Sequence, residues 1–295
     1  MSRSEVDVGA GGGAGGGAAP EAGYGSPAPG SVPGPGHDEP VTRLAALDRV
    51  PPRITWQKLV TLPAFVAVVL GATALYLRTT ELDSIARNAL ADGAVRTALL
   101  QQTELVAIST FFVLIIAIPL GIALTRGVLR RAAPLFVAVA NIGQATPALG
   151  LLALLVIWLG IGQRAALVGI VAFAVLPVLS NTVAGLRATD PALVEAARGI
   201  GMSPLLVLFR VELPLAVPLI LAGVRTALVL NVGTATLATF GGGGGLGDLI
   251  SSGITNQRMP VLVLGSVLTV AMALVVDWLG MLVELLLRPR GLEVE

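Results

Sequence analysis

Long apolar stretches alternate with short polar connections along most of the chain. A helix crosses the hydrocarbon core of a membrane with roughly 20 residues at 1.5 Å each, and six stretches with few or no charged side chains approach or exceed that length. They are residues 59–77, 105–125, 132–163, 165–186, 213–240 and 259–287. The pattern predicts an all-α, polytopic membrane protein with about six transmembrane helices.

The third stretch is uncharged for 32 residues, which is too long for one simple helix. It is interrupted by Gln144, Thr146 and Pro147. Non-helical backbone at membrane depth is tolerated where it is buried in protein or lines a watery cavity. Two interpretations follow: the break lines a substrate path, or it is a simple helix break near the interface. Further candidates for lining the same path are Asn181, Asn231 and Thr234, whose alternative role is hydrogen bonding between helices.

Composition agrees with a membrane protein and excludes several kinds of site. Only 13% of the residues are charged, against about a quarter in soluble domains. The chain has no cysteine, and its one histidine, His37, precedes the apolar stretches, so we expect no thiolate or histidine-rich metal site and no histidine-based catalysis. The one lysine, Lys58, follows Gln57 and not glycine, so no phosphate-binding loop of Walker type is present. Any ATP that drives this protein is therefore bound by another chain.

The chain divides into three predicted regions. Residues 1–52 are rich in Gly, Ala, Pro and Ser and are predicted to be a disordered tail. Residues 53–103 are predicted to hold the first transmembrane helix and an outer linker, in which residues 79–100 form either a short amphipathic helix or a loop. Residues 104–290 are predicted to form the main transmembrane domain, with a long connection at 182–210.

Arginine and lysine accumulate in alternate connections. They precede the first stretch, fill the connections at 126–131 and 187–210, and follow the last stretch, whereas the arginines of the other connections are mostly diluted by acids. Basic connections stay in the cytoplasm. The pattern predicts a plasma-membrane protein with both termini cytoplasmic.

The connection between the fourth and fifth stretches contains a short predicted helix. Asp190 is a good N-cap and Pro191 suits the first helical position. Gly199 or Gly201 ends the helix, and Pro204 cannot continue it. A short capped helix beside the membrane, with alanine faces, suits docking into a groove of another protein; the alternative is an ordinary structured loop.

Two further features have a structural and a functional interpretation. Arg225 and Asp277 are the deepest charges and are predicted to form a structural ion pair, in preference to a substrate contact. Residues 242–247 match a GxGxxG pattern, but they follow a membrane span, so a bend or close helix packing is favoured over a nucleotide site.

The spacing of Glu195-Ala196-Ala197, Gly201, Val211 and Leu213-Pro214 resembles the EAA loop of permeases in binding-protein-dependent ABC importers. The stretches at 144–162, 176–182 and 231–250 extend the resemblance to permeases for osmoprotectants such as glycine betaine, carnitine and choline. Gly243 stands where this pattern has alanine, which predicts a looser local backbone.

The resemblance implies a type I importer-permease fold and a permease that is not itself an enzyme. It implies cytoplasmic ATPase subunits that bind ATP and magnesium, an extracytoplasmic substrate-binding protein, and a second permease copy or paralogue. The residues implied in coupling to the ATPase are Glu195, Ala196, Ala197, Gly199, Gly201, Leu213 and Pro214. Alternatives are an importer for another small solute, such as an amino acid or a metal, an ATP-independent channel or secondary transporter, and a membrane scaffold.

Overall fold

The computed structural model describes residues 56–287, and all regular secondary structure in that range is helical. The predicted tail at 1–52, and residues 288–290 of the predicted main domain, lie outside the described residues. The α-helices are α1 (Trp56–Thr79), α2 (Ser84–Ala89), α3 (Asp92–Leu124), α4 (Ala133–Ala145), α5 (Ala148–Leu159), α6 (Gln163–Arg187), α7 (Pro191–Gly199), α8 (Pro204–Val207), α9 (Leu213–Leu237), α10 (Leu246–Thr255) and α11 (Met259–Leu287).

Five helical segments are long and apolar enough to cross a membrane. They contain α1, α3, α6, α8 with α9, and α11. The helices α4 and α5 are bent by 98° and pass the same test only as a pair. The pair forms either one crossing or a re-entrant loop. The relative direction of α3 and α6, which flank the pair, distinguishes the two arrangements.

The bent pair crosses from one end of the molecule to the other, because α3 and α6 run in the same direction. Gly121 and Thr182, near the last turns of α3 and α6, are in contact. Leu105 and Ile170, in the earlier halves of the two helices, share one buried cluster. The chain must therefore return between α3 and α6, and the described residues make six crossings.

The six crossings give the molecule two distinct ends. The arginine face comprises the connections at residues 125–132 and 188–212; the glycine face comprises the connections at 80–91, 160–162 and 241–258. On the glycine face, Gly162 N donates to Gly241 O at 2.7 Å and Arg258 pairs with Asp83 at 2.7 Å. The first described helix, α1, begins on the arginine face, and the last one, α11, ends on the same face.

Helix α6 is the central helix of the fold. It packs against α3, α5 and α9 and contains many of the buried residues, including Ala174, Val178 and Val183. Small side chains allow the close approach: a Cβ at Gly223 of α9 would lie 2.7 Å from Asn181 Cβ, and one at Gly185 would lie 3.1 Å from Ala216 O. Packing through small residues replaces the hydrophobic driving force that is missing between helices in lipid.

The second transmembrane helix is longer than predicted. Its predicted start was residue 105, but α3 begins at Asp92, so α3 crosses the predicted domain boundary at 103/104. The region at 79–100, predicted as a helix or a loop, contains α2 and the first turns of α3. Those turns form because Ala98 packs in a buried cluster with Leu246 and Val261, while the charged Arg96 stays exposed.

The predicted break in the third stretch is confirmed. Thr146 and Pro147 adopt extended backbone conformations with ψ of 136° and 117° between α4 and α5. Proline disfavours a helical conformation for the residue before it and offers no N–H to continue the ladder. Gln144, Thr146 and Pro147 are all exposed in the single chain.

The glycine loop, residues 241–245, is held by side chains of α3. Gln101 Oε1 accepts from Gly245 N at 3.1 Å and Gln102 Oε1 accepts from Leu246 N at 3.2 Å. The fully buried Gln102 also donates from Nε2 to Val232 O at 3.0 Å and to Thr236 Oγ1 at 3.1 Å. The backbone of the loop is therefore fixed by α3 and not left free.

The expectation of a looser backbone at Gly243 is wrong. A Cβ at this position would lie 2.8 Å from Ala166 Cβ and 2.9 Å from Ala238 O, so even alanine does not fit without movement of α6 or of the 3-10 turn that follows α9. The φ of Gly243 is not positive, so its backbone conformation does not call for glycine. Close packing is the reason that no side chain fits at this position.

We expect Gly243→Ala to lower the free energy of unfolding by about 1–3 kcal/mol, because the added methyl overpacks the junction of α6 with the 3-10 turn after α9. Unfolding of the purified full-length chain by SDS in mixed micelles measures the change. Gly233→Ala is the control, since a Cβ at Gly233 meets nothing within 4 Å. Equal stability of the two variants would contradict the packing argument.

Candidate functional site

The connection on the arginine face between α6 and α9 contains the predicted short helix, which is confirmed as α7. Asp190 Oδ1 accepts from Ala192 N at 2.8 Å, and Pro191 occupies the first helical position. At the other end, Gly201 N donates to Arg198 O at 2.9 Å and Met202 N donates to Ala197 O at 3.2 Å. These two bonds form a Schellman motif, and Gly201 supplies its left-handed residue with a φ of 90°.

Two faces of α7 have different surroundings. Pro191, Val194, Glu195 and Arg198 follow helical spacing and line a groove beside the ends of α3 and α6. Leu193, Ala196 and Ile200 lie on another face and are exposed. Ile200 is 77% exposed, which is unusual for a large apolar residue in a connection outside the spans.

The chain after α7 adds further exposed apolar residues. Leu205 in α8 and Phe209 in the π-helical turn at Leu208–Glu212 are exposed, and Val207 and Leu208 between them are buried. We define the α7 apolar surface as Leu193, Ala196 and Ile200, since Leu205 and Phe209 belong to a segment long and apolar enough to cross the membrane. Exposed apolar side chains on one face of a connecting helix are typical of an interaction surface.

The predicted coupling residues are divided between the surface and the interior. Glu195, Ala196, Gly199 and Gly201 are exposed, and a Cβ at either glycine would meet nothing within 4 Å. Ala197 is buried beneath α7, and Leu213 and Pro214 are half-buried in the first turn of α9. The first four are exposed, Ala197 supports the loop from within, and Leu213 and Pro214 are partly accessible.

An ion pair joins the end of this connection that precedes α9 to the segment after α3. Arg126 donates from Nη1 to Glu212 Oε1 at 3.2 Å and from Nη2 to Glu212 Oε2, which gives a bidentate pair. Glu212 is 6% exposed and lies in the π-helical turn immediately before α9. The pair therefore links the end of α3 to the start of α9. Sequence reasoning missed it, although both residues directly border predicted spans.

The environment of Arg126 disfavours its charge. Burial, and the positive charge of Arg198 on α7, lower the pKa of Arg126. The carboxylate of Glu212 provides the compensating negative charge.

The remaining predicted path residues lie in separate surroundings. Asn181 Nδ2 donates to Pro177 O at 2.8 Å, within α6. Asn231 is fully buried and donates from Nδ2 to Thr110 Oγ1 of α3 at 2.9 Å. Thr234 donates to Leu230 O at 2.8 Å and borders a cavity of about 10 Å³, which is barely the size of one water. These three residues are engaged in hydrogen bonds within and between helices.

Arg225 and Asp277 lie close together across α9 and α11. Arg225 Nη2 lies 2.7 Å from Asp277 Oδ2, and its Nε donates to Oδ1. Glu284 Oε2 lies 3.9 Å from Arg225 Nη1, so two acids of α11 face one arginine of α9. No group of three or more His, Cys, Asp or Glu residues suited to a metal ion occurs between residues 56 and 287.

A family profile described as "Binding-protein-dependent transport system inner membrane component" matches residues 117–290. The choline transport system permease protein OpuBB of Bacillus subtilis is 40% identical over 179 residues, which cover 61% of this chain and 82% of that protein. The glycine betaine/carnitine/choline transport system permease protein OpuCB of the same organism is 38% identical over 180 residues, with the same shares of the two chains.

Among solved structures, a chain of the methionine ABC transporter MetNI in an inward-facing conformation has a similar fold. The TM-score is 0.59 at 24% identity, and the alignment covers 66% of this chain and 96% of that chain. This similarity concerns the fold, and it confirms the predicted all-α polytopic architecture.

We expect Glu212→Met to lower the free energy of unfolding by about 1–3 kcal/mol, because it leaves Arg126 part-buried without its acceptor. Arg126→Met should have a similar effect, and the double variant should lose less than the sum of the two. SDS unfolding of the four proteins measures the coupling. Glu195→Met is the control, since Glu195 is exposed and has no ion pair within residues 56–287. Additive losses would contradict a direct link between α3 and α9.

Proposed function

The chain belongs to the family of binding-protein-dependent transport system inner membrane components, and we propose on that basis that it is the permease subunit of an ATP-driven importer for choline, glycine betaine or carnitine. The substrate class is supported by two relatives, each matched over 82% of its length, whose names specify these quaternary ammonium solutes. The observation that carries the mechanism is α7, a capped helix whose apolar surface is exposed on the arginine face.

We place the arginine face in the cytoplasm. Its connections hold Arg126, Arg130, Arg131, Arg198 and Arg210, and arginine-rich connections are retained on the cytoplasmic side. Because six crossings bring both ends of the described range to this face, both termini are then cytoplasmic. The glycine face is the extracytoplasmic one, where a substrate-binding protein delivers solute.

We propose that cytoplasmic ATPase subunits bind α7. The chain has no Walker-type loop, so ATP and magnesium are bound, and hydrolysis is carried out, by the partner. Leu193, Ala196 and Ile200 provide the apolar contact, and Ala196 allows close approach of the partner's backbone. The permease itself is not an enzyme in this scheme.

Movement of α7 reaches the membrane helices through two connections. The π-helical turn continues directly into α9, and the pair of Arg126 with Glu212 joins the same turn to α3. A displacement of α7 by the ATPase thus moves α3 and α9 together. We propose that a second permease copy or a paralogue completes the pore, and that Gln144, Thr146 and Pro147, exposed at the bend in this chain, face it or the path.

The ligand preference of the assembled importer is tested by reconstitution. We expect vesicles that hold the full-length chain, its ATPase and its binding protein to accumulate labelled choline, glycine betaine or carnitine only with ATP. Labelled methionine serves as the control solute. Uptake of methionine but of none of the three quaternary ammonium solutes would contradict the proposed substrate class. Uptake without any ATPase would indicate a channel or secondary transporter.

We expect Ala196→Trp to reduce the amount of ATPase that co-purifies with the tagged full-length chain about tenfold or more, because an indole on the exposed face of α7 prevents close docking. Thr255→Trp, an equally bulky change at an exposed residue of the glycine face, is the matched control. Quantitative mass spectrometry of the purified complex measures the ratio. Unchanged ATPase recovery with Ala196→Trp would overturn the assignment of α7.

A further inference from the structure

A groove of about 660 Å³ separates α7 from the membrane helices on the arginine face. Side chains from three places meet in it: Arg126 and Arg130 after α3, Arg187 at the end of α6, and Arg198 on α7. We define these four residues and the space between them as the arginine groove. Its acidic residues are Glu195 and Glu212. The α7 apolar surface lies on a different face of α7, so the groove is a separate feature.

The arginine groove has an excess of positive charge. Four arginines and two glutamates give a formal charge of +2. Glu212 is engaged by Arg126, and within residues 56–287 no acid lies within 4 Å of the guanidinium groups of Arg130, Arg187 or Arg198. Three cations thus converge on one concave space with little compensation.

Two buried polar atoms in the groove also have no partner among the described residues. They are Nε of Arg126 and Oγ1 of Thr189, both from residues that line the groove. Arg126 Nε–H is a donor and the Thr189 hydroxyl can donate as well. Burial, and the positive charge of Arg198, lower the pKa of Arg126, and an acceptor placed between the two arginines would stabilise both charges.

We infer that the arginine groove binds an anion of the phosphate class. Guanidinium groups match phosphate oxygens in a planar, bidentate geometry, and several arginines around one phosphate are a common arrangement. The arginines come from three segments, so a bound phosphate group bridges α7 to the ends of α3 and α6.

The position of the groove allows two sources for this phosphate group. It lies at the ends of the spans, where the headgroups of an anionic lipid are concentrated on the cytoplasmic leaflet. It is also open to a soluble phosphate. The chemistry of recognition is the same for both, and the experiment separates them.

The test uses the full-length chain and two probes. For the lipid, nanodiscs contain phosphatidylcholine with or without phosphatidylglycerol, and native mass spectrometry counts the phosphatidylglycerol molecules retained. For the free anion, calorimetric titration of sodium phosphate into phosphatidylcholine nanodiscs is compared with sodium chloride at equal ionic strength. In the wild-type chain, soluble phosphate should also displace retained phosphatidylglycerol, a measurement that needs no variant.

The variants remove single charges at matched positions. Arg130→Gln and Arg198→Gln lie in the groove, while Arg131→Gln and Arg210→Gln lie on the same face outside it. We expect each groove variant to bind its probe about tenfold more weakly or worse, because a charge-assisted hydrogen bond to the phosphate group is lost, and the outside variants to bind as wild type.

Each outcome decides the proposal. Selective weakening in the lipid arm assigns the groove to a headgroup, and selective weakening in the phosphate arm assigns it to a free anion. If all four variants weaken binding equally, the attraction is a property of the whole basic face and the site does not exist. Absence of binding by the wild-type chain in both arms overturns the inference as well.

Discussion

Backbone hydrogen bonding in lipid is the constraint on which this structure depends. A peptide group without a partner in the hydrocarbon region costs several kcal/mol, so each crossing has to be helical, or its exceptions have to be satisfied by protein. The glycine loop lies just beyond the end of a crossing, and its backbone groups are also satisfied by protein. Gln101 and Gln102 accept its N–H groups at Gly245 and Leu246, and Gly162 donates to Gly241. One turn of α3 thereby secures the junction of α6, α9 and α10.

The two ends of the molecule are held by different interactions. The glycine face is closed by short hydrogen bonds and by glycines that leave no room for side chains. On the arginine face, the pair of Arg126 with Glu212 joins the segments after α3 and before α9, and a groove separates α7 from the membrane helices. In the function we propose, the glycine face keeps the helices in register, and α7 on the arginine face transmits movement from the partner.

Three polar residues within the spans form hydrogen bonds within this chain, and their predicted role in a substrate path stays a prediction. Asn181 and Thr234 bond to carbonyls of their own helices, and Asn231 bonds to Thr110 of α3. Gln144 and Thr146 differ, because the bend of 98° turns them outward. Selective recognition of a quaternary ammonium group usually relies on aromatic cages. Since only 4% of this chain is aromatic, such recognition falls to the binding protein in the function we propose.

The sequence by itself determined the features that arise from local pattern: the crossings, the break at Pro147, the capped helix α7 with its glycine end, and the family, which the profile match confirms. Each depends on residues within a few turns of one another. Only the tertiary structure decided the start of α3 at Asp92, the exclusion of a side chain at Gly243, and the direction of Glu195 into the groove. The same holds for the pair of Arg126 with Glu212, which are 86 residues apart. The physical reason is that these features depend on how each helix is rotated about its axis and packed against distant segments. The hydropathy pattern along the chain does not specify that rotation.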